Sequence, residues 1–282
     1  GQYRWRPDGG AVAFTATLPP PEWRAQARAA GFGQRVYDED WNPIGLFVWS
    51  EETGEVRRME VPGSVFDLDW SPDGTRLALA IAPRNLTDDF YMFKRIHVLD
   101  VESGSVRQLV DNPGKLASMG WSPDGRFVAY VSAVDARDPH AGMLYLAEAG
   151  SGEVTALTPG FEGMVHSFEW LDAGTLRLVV SRGAESVVTD FSLDDRRFED
   201  LPSTGLAFGA VHSSSGVVAA VVSGPEHPGE LYTLAGEGWY RRTMSNALLE
   251  GVRLSRQEIH SFTARDGVEI EGVLLYPLDF QD

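Results

Sequence analysis

Short apolar runs recur along the chain, and each follows the same kind of polar turn. Leu77-Ala-Leu-Ala80 comes after Trp70-Ser-Pro-Asp-Gly74, and Phe127-Val-Ala-Tyr130 after Trp121-Ser-Pro-Asp-Gly125. A near copy, Trp5-Arg-Pro-Asp-Gly9, precedes the run that ends at Phe14. Two degenerate copies extend the series: Trp170-Leu-Asp-Ala-Gly174 leads into Thr175–Val180, and His212-Ser-Ser-Ser-Gly216 into Val217–Val222. Pro presets φ at the first turn position, and Asp-Gly supplies residues that tolerate φ > 0, so each copy predicts a hairpin with the Trp closing its first strand. About 15 to 25 residues further on, a second hairpin is predicted around a Gly-containing turn. Leu46-Phe-Val-Trp49, Ile96-His-Val-Leu-Asp100 and Leu144-Tyr-Leu-Ala147 open three of these.

Aligned on the Trp position, the copies lie 65, 51, 49 and 42 residues apart. Two sequential hairpins at that spacing make one four-stranded antiparallel propeller blade with its loops. The fold expected is therefore all-β: a β-propeller with about five recognisable repeats, belonging to a ring that usually has seven blades. The repeat is informative about fold and nearly silent on chemistry. Asp67, Asp69 and Asp73-Gly74 lack the spacing and terminal Glu of an EF-hand loop. The turn also differs from the Asp-box of sialidase-type propellers, where a residue separates Asp from Gly.

Composition narrows the function classes. The 282 residues carry a net charge of −17 and no basic stripe, which argues against nucleic-acid binding. The absence of Cys excludes disulfide and thiolate chemistry and leaves the compartment open, cytoplasm and periplasm alike. No apolar run reaches 18 residues, so no membrane-spanning helix is expected. The six His (97, 140, 166, 212, 227 and 260) show no metal-ligand spacing, and no phosphate loop stands out. Neither a metal nor a cofactor site is read. His97 and His260 fall in predicted strands and are expected to be packed or capped there.

The first repeat begins at the chain's start and lacks its opening strands in the sequence pattern. The pattern also changes after residue 245. The reading is a propeller over 1–245, a polar linker over 246–258, and a new element over 259–282. That element is a hairpin, Ile259–Thr263 and Val268–Pro277, turning at Asp266-Gly267. The ordered set of Trp5–Phe14, Tyr37-Asp-Glu-Asp40, Leu46–Trp49, the two Trp-Ser-Pro-Asp-Gly blades, Leu157-Thr-Pro-Gly160 and the hairpin Phe262–Pro277 resembles the prolyl oligopeptidase family of serine peptidases. The closest branch is the acylaminoacyl-peptidase-like one. The resemblance implies a propeller that caps an α/β-hydrolase domain and restricts which peptides reach a Ser-Asp-His triad. Residues 259–282 then look like the first hairpin of that domain. The rest of it is not here: no Ser has Gly two positions away on both sides, as a nucleophile elbow requires. No catalytic residue is assigned, and this polypeptide alone is expected to be inactive. Its implied partners are its own hydrolase domain and a peptide substrate, with homo-oligomerisation left open.

Two inserted stretches are the candidates for binding, because loops on a rigid scaffold concentrate function. In the first, Leu18–Trp41, Pro19–Gly31 reads as a short helix. It is followed by the acidic Asp38, Glu39 and Asp40 and by Trp41, candidates to select a peptide's amino end or a basic side chain. The plainer alternative is a solvated acidic loop. The second stretch, Pro83–Lys94, mixes Asp88-Asp89 with Phe90, Tyr91 and Phe93. It reads either as a contact loop or as a blade edge with Tyr91 and Phe93 turned inward. The competing functional class is a TolB-like propeller that binds a protein or peptide and does no chemistry. A propeller glycosidase is disfavoured by the lack of convergent carboxylates.

Overall fold

A computed structural model describes residues 1–137 and 142–280; His140 lies outside the described residues. The chain divides into two compact units, Gly1–Leu157 and Thr158–Asp282.

The first unit contains three four-stranded antiparallel sheets, each a meander in sequence order. β1 (Tyr3–Trp5), β2 (Ala11–Thr17), β3 (Ile44–Ser50) and β4 (Val56–Met59) form the first, with helix α1 (Glu22–Ala29) between β2 and β3. β5 (Ser64–Trp70), β6 (Arg76–Ala82), β7 (Arg95–Asp100) and β8 (Val106–Val110) form the second, with α2 (Thr87–Met92) between β6 and β7. β9 (Leu116–Trp121), β10 (Phe127–Ser132), β11 (Met143–Glu148) and β12 (Val154–Ala156) form the third. The first sheet thus has four strands. The three residues Tyr3–Trp5 pair with β2 and supply the opening strand that the sequence pattern left out.

Strand β6 shows why these sheets stack. Side chains alternate across a strand. Leu77, Leu79 and Ile81 enter one apolar core with Ala11, Ala13, Leu46 and Met59 of the first sheet. Ala78 and Ala80 face the other way, into a core with Leu116, Trp121, Val128 and Tyr130 of the third. Large residues fill one interface and small ones admit close approach at the other. Each fully buried Leu contributes about 1.5–3 kcal/mol of transfer free energy.

The turns behave as their residues require. Gly74 and Gly125 sit at φ +68° and +70°. Asp73 Oδ1 accepts from Ser71 Oγ at 2.6 Å and from the Thr75 N–H at 3.0 Å. Asp124 repeats this with Ser122 Oγ at 2.6 Å and the Arg126 N–H at 3.1 Å. The Ser71 and Ser122 hydroxyls chiefly hold these two carboxyls below their ordinary pKa. The repeat's Asp is engaged inside its own turn. Trp70 and Trp121 are buried; Trp70 Nε1 donates to the Arg4 carbonyl at 3.1 Å, and the Arg76 guanidinium stacks on Trp121 at 4.7 Å.

The second unit contains two four-stranded sheets and one hairpin. β13 (Met164–Trp170), β14 (Thr175–Arg182), β15 (Glu185–Ser192) and β16 (Phe198–Asp200) form the first of these. β17 (Ala207–Ser214), β18 (Val217–Gly224), β19 (His227–Ala235) and β20 (Gly238–Arg241) form the second. Val179 and Val188 pack with Phe208, Val222 and Tyr232 between them. In the last repeat, which lacks Pro-Asp-Gly, β17 runs on to Ser214. The chain reverses on Ser215 and Gly216, at φ +50° and +79°. Two residues at positive φ give the tight hairpin turn that matches strand twist.

After β20 the chain carries one short 3-10 turn, Ala247–Leu249, and then β21 (Gln257–Thr263) and β22 (Glu269–Leu275). Among the described residues these two strands pair only with each other. Glu230, buried on β19, anchors the exit from the last blade. Its carboxylate accepts from Thr243 Oγ1, the Ser245 N–H (2.8 Å) and Arg241 Nη2 (3.1 Å). The Thr243 hydroxyl leads the interactions that hold this carboxyl down to about 2.

Candidate functional site

The two inserted stretches meet within the first unit. α1 begins after Pro21 and ends before Gly31, at φ +93°. The helix holds only Trp23 and alanines as apolar residues, and its buried side chain is Arg24, 8% exposed. The Arg24 guanidinium reaches across to the acidic segment. Nη2 donates to the Glu39 carbonyl at 3.3 Å, and Nη1 to the Trp41 carbonyl at 3.3 Å and to Asn42 Oδ1 at 3.1 Å. Nε lies 3.0 Å from Asp40 Oδ1, in ion-pair range but off hydrogen-bond alignment. The other Asp40 oxygen accepts the Val36 N–H at 2.8 Å.

The second stretch closes on the first. The Tyr37 hydroxyl donates to Thr87 Oγ1 at 2.9 Å, and Asn85 Nδ2 donates to the Asn42 carbonyl at 3.0 Å. Between the two lies a cavity of about 420 Å³, lined among others by Thr17, Arg35, Tyr37, Trp41, Asn42 and Asn85. Of the four sequence candidates, Asp40 and Trp41 line this cavity, while Asp38 and Glu39 are exposed on its acidic segment. The carboxylate of Asp40 is engaged on both oxygens. That of Glu39 makes no hydrogen bond or ion pair among the described residues, and the Asp38 charge, after that of Asp89, favours the protonated Arg84 guanidinium.

The loop Pro83–Lys94 corrects an expectation. Tyr91 and Phe93 do not turn inward; they are 54% and 48% exposed. α2 instead buries Asp89, at 1% exposed, where it takes a hydrogen bond from the Arg84 N–H (3.1 Å) and an ion pair from the Arg84 guanidinium (2.9 Å). Asp89 and Tyr91 lie two positions apart on α2 and point to different sides, so burying the acid turns Tyr91 out. Phe90 packs edge-on against Phe66 at 5.2 Å. Lys94 is buried beneath, its ammonium 4.3 Å from the Phe90 ring, and burial lowers its pKa.

Two carboxylates that precede the repeat's Trp link neighbouring sheets. Asp69 Oδ2 accepts the Trp121 N–H at 2.9 Å, and burial pushes the Asp69 carboxyl up to about 6. Glu169 Oε2 accepts the Ser213 N–H at 3.0 Å, and Glu169 Oε1 accepts the Ser213 hydroxyl. His212 Nδ1 lies 3.2 Å from the same Glu169. Ser, His and Glu meet here in the wrong order for acyl transfer, because the hydroxyl is bound to the carboxylate rather than to an imidazole. A second Ser–His contact, His166 Nε2 to Ser181 Oγ at 2.6 Å, has no carboxylate orienting the ring among the described residues. No group of His, Asp and Glu that could hold a metal occurs among the described residues. No described helix is long and apolar enough to cross a membrane. His97, half-buried, contacts the Arg95 carbonyl at 3.1 Å, whereas His260 is exposed and so departs from the packed position expected of it. Arg24 escaped the sequence reading. The available signal was a helix with no large apolar residue except Trp23 to bury.

No family model matches the chain. It is 27% identical over 146 residues to the uncharacterized peptidase YuxL of Bacillus subtilis, a match covering 51% of this chain and 22% of that protein. Among solved structures it superposes on puromycin hydrolase with a TM-score of 0.67 at 17% identity, covering 98% of this chain and 42% of the other. The acylaminoacyl peptidase of Pyrococcus horikoshii gives 0.68 at 15% identity, over 98% and 43%. A putative TolB from Agrobacterium tumefaciens gives 0.57 at 18% identity, over 98% and 89%. The chain therefore spans about a fifth of the curated relative and under half of the two hydrolase structures. It shares the fold of these proteins over nearly its whole length, and an acylaminoacyl peptidase is among them.

Proposed function

We propose that this chain is the propeller portion of a serine peptidase that hydrolyses short peptides, acting as the cap that limits and orients what reaches the catalytic domain. The observation that carries the reading is the succession, in one chain, of five blade sheets and then a hairpin with a different partner requirement. β21 and β22 expose Ile259, Phe262, Ile270, Val273 and Leu275 over both faces and pair with no further described strand. A two-stranded hairpin of that composition is marginal alone and needs a further sheet or helix to cover it. An α/β-hydrolase domain following it supplies that cover. On this reading the acidic segment bearing Asp38 and Glu39 receives a peptide's amino end or basic side chain, and Ser-His-Asp acyl transfer takes place on the hydrolase domain.

A second reading, a TolB-like propeller that binds a peptide or protein without chemistry, is favoured by the match covering 89% of the Agrobacterium protein. The two separate on a fluorophosphonate probe, read by intact mass. The natural full-length protein should gain one adduct and residues 1–282 none. A full-length protein that takes up no probe and cleaves no peptide leaves the binding reading in its place.

A further inference from the structure

We propose that the cavity between the two inserted stretches, together with a smaller slot beside it, binds a carboxylate that carries an apolar side chain, with Arg35 taking the charge. This goes beyond the peptidase reading and does not depend on it. The two hollows share a wall. Trp41 lines the cavity of about 420 Å³ and also a slot of about 200 Å³, whose other walls include Leu18, Pro43, Met59, Val61 and Pro83. An apolar cavity of about 150 Å³ admits benzene, so the slot has room for one large apolar side chain. The polar groups of the larger cavity fix what else the ligand carries. Asp40, its one carboxylate, is engaged on both oxygens, by the Val36 N–H at 2.8 Å and by the Arg24 guanidinium at 3.0 Å. Asn42 Oδ1 accepts from Arg24 Nη1 at 3.1 Å, which leaves the Asn42 amide nitrogen as a donor. The Arg35 guanidinium and the Trp41 indole N–H make no hydrogen bond or ion pair among the described residues. Three donors thus stand open at this cavity, and one carries a full positive charge. Neither Asp38 nor Glu39 lines it. The net charge of −17 opposes any anion, but at physiological ionic strength that field is screened over about 8 Å. The lining charges then decide, with Arg35 unpaired and Asp40 neutralised by Arg24. A guanidinium fork matches a carboxylate, and the group on the neighbouring carbon enters the slot past Trp41.

N-acetyl-leucine and N-acetyl-leucinamide present the same apolar group with and without the charge, and acetate presents the charge without the apolar group. Titrated calorimetrically into the 282-residue chain, N-acetyl-leucine should bind on the order of tenfold more tightly than either. Arg35→Met should remove the margin over the amide and leave the amide's own affinity unchanged. Trp41→Ala should weaken acid and amide alike, with thermal unfolding confirming intact blades. Arg35 is exposed, so its variant keeps the test open if Trp41→Ala does not fold. Trypsin gives a second reading, because it must take the same guanidinium into its own acidic pocket. N-acetyl-leucine should slow tryptic cutting after Arg35 in proportion to the fraction bound, and N-acetyl-leucinamide should not. A tetrapeptide ending in a free leucine carboxylate that binds at least as tightly identifies a peptide's carboxyl end as the source of the ligand. Its exclusion identifies a free acyl amino acid. Equal affinity for acid and amide, no binding of N-acetyl-leucine at about 10 mM, or a margin that survives Arg35→Met overturns the proposal.

Discussion

The hairpin β5–β6 of the second blade and the terminal hairpin β21–β22 are nearly the same object locally. Each joins two seven-residue strands through an Asp-Gly turn, Asp73-Gly74 in one and Asp266-Gly267 in the other. In each, the Asp carboxylate accepts the N–H two residues on, at 3.0 Å from Thr75 and 3.2 Å from Val268. Their fates differ completely. β6 is buried along nearly its whole length, with an apolar core on either face, while Leu275 at the end of β22 remains 59% exposed. Turn chemistry makes the hairpin; neighbours on both faces decide whether it becomes core. The terminal hairpin meets the rest of its unit at Glu271 Oε2, which accepts the Ala184 N–H at 3.1 Å. Gly183, at φ +58°, permits this, since a Cβ there would stand 2.0 Å from that oxygen.

The largest expected effect breaks the buried side of the comparison. Leu77→Ala should cost about 2–5 kcal/mol by urea unfolding, as a cavity between packed sheets does. Ile259→Ala in residues 1–282 should cost less than about 1 kcal/mol, because its site is half in water. In the full-length protein the same Ile259 change should move toward the core value. A cost unchanged there would show that nothing covers the hairpin.

Next in size is a gain. The Asp69 carboxyl is raised to about 6 in the fold, chiefly by burial, so its ionised form is disfavoured there. That penalty is complete above about pH 6 and vanishes below the ordinary carboxyl range. Asp69→Asn should therefore stabilise the first unit by roughly 2 kcal/mol at pH 7.5 and by nothing at pH 3.5.

Glu230 has the opposite sign. Its pKa is depressed to about 2, so its contribution is full above the unfolded carboxyl value and is lost as pH falls toward 2. Glu230→Gln should lower the melting temperature at pH 7, and the gap from wild type should close between pH 4.5 and 2. The smallest effect is at the hairpin's seat. Gly183→Ala should cost about 1 kcal/mol of backbone strain. It should also speed amide exchange in 257–275 while leaving exchange in β6 unchanged.

The candidate site was partly legible. Pro21 before α1 and Gly31 after it mark the helix, and the acidic run after it is plain in the sequence. The partner of that run was hidden because Arg24 and Asp40 are sixteen positions apart with no periodic relation, and only the folded loop brings them together. In Pro83–Lys94 the inward reading of Tyr91 and Phe93 failed because the residue that α2 buries is the acid Asp89, with Arg84 closing over it.

What the sequence determined by itself is the repeat: turns of Trp-Ser-Pro-Asp-Gly type impose hairpins through φ preferences and a self-contained Ser–Asp hydrogen bond, which need nothing from the rest of the chain. The opening strand Tyr3–Trp5, too short for any pattern to announce, appeared only because β2 offered it an edge to pair with. Tertiary structure alone decided which carboxylates are engaged and which are free. Asp40, Asp69, Asp89 and Glu230 are held by groups 4 to 52 positions away, and Asp38 and Glu39 stay exposed. Local preference acts over a few residues. A carboxylate's environment is set by whatever the fold packs against it, and that is long-range by nature.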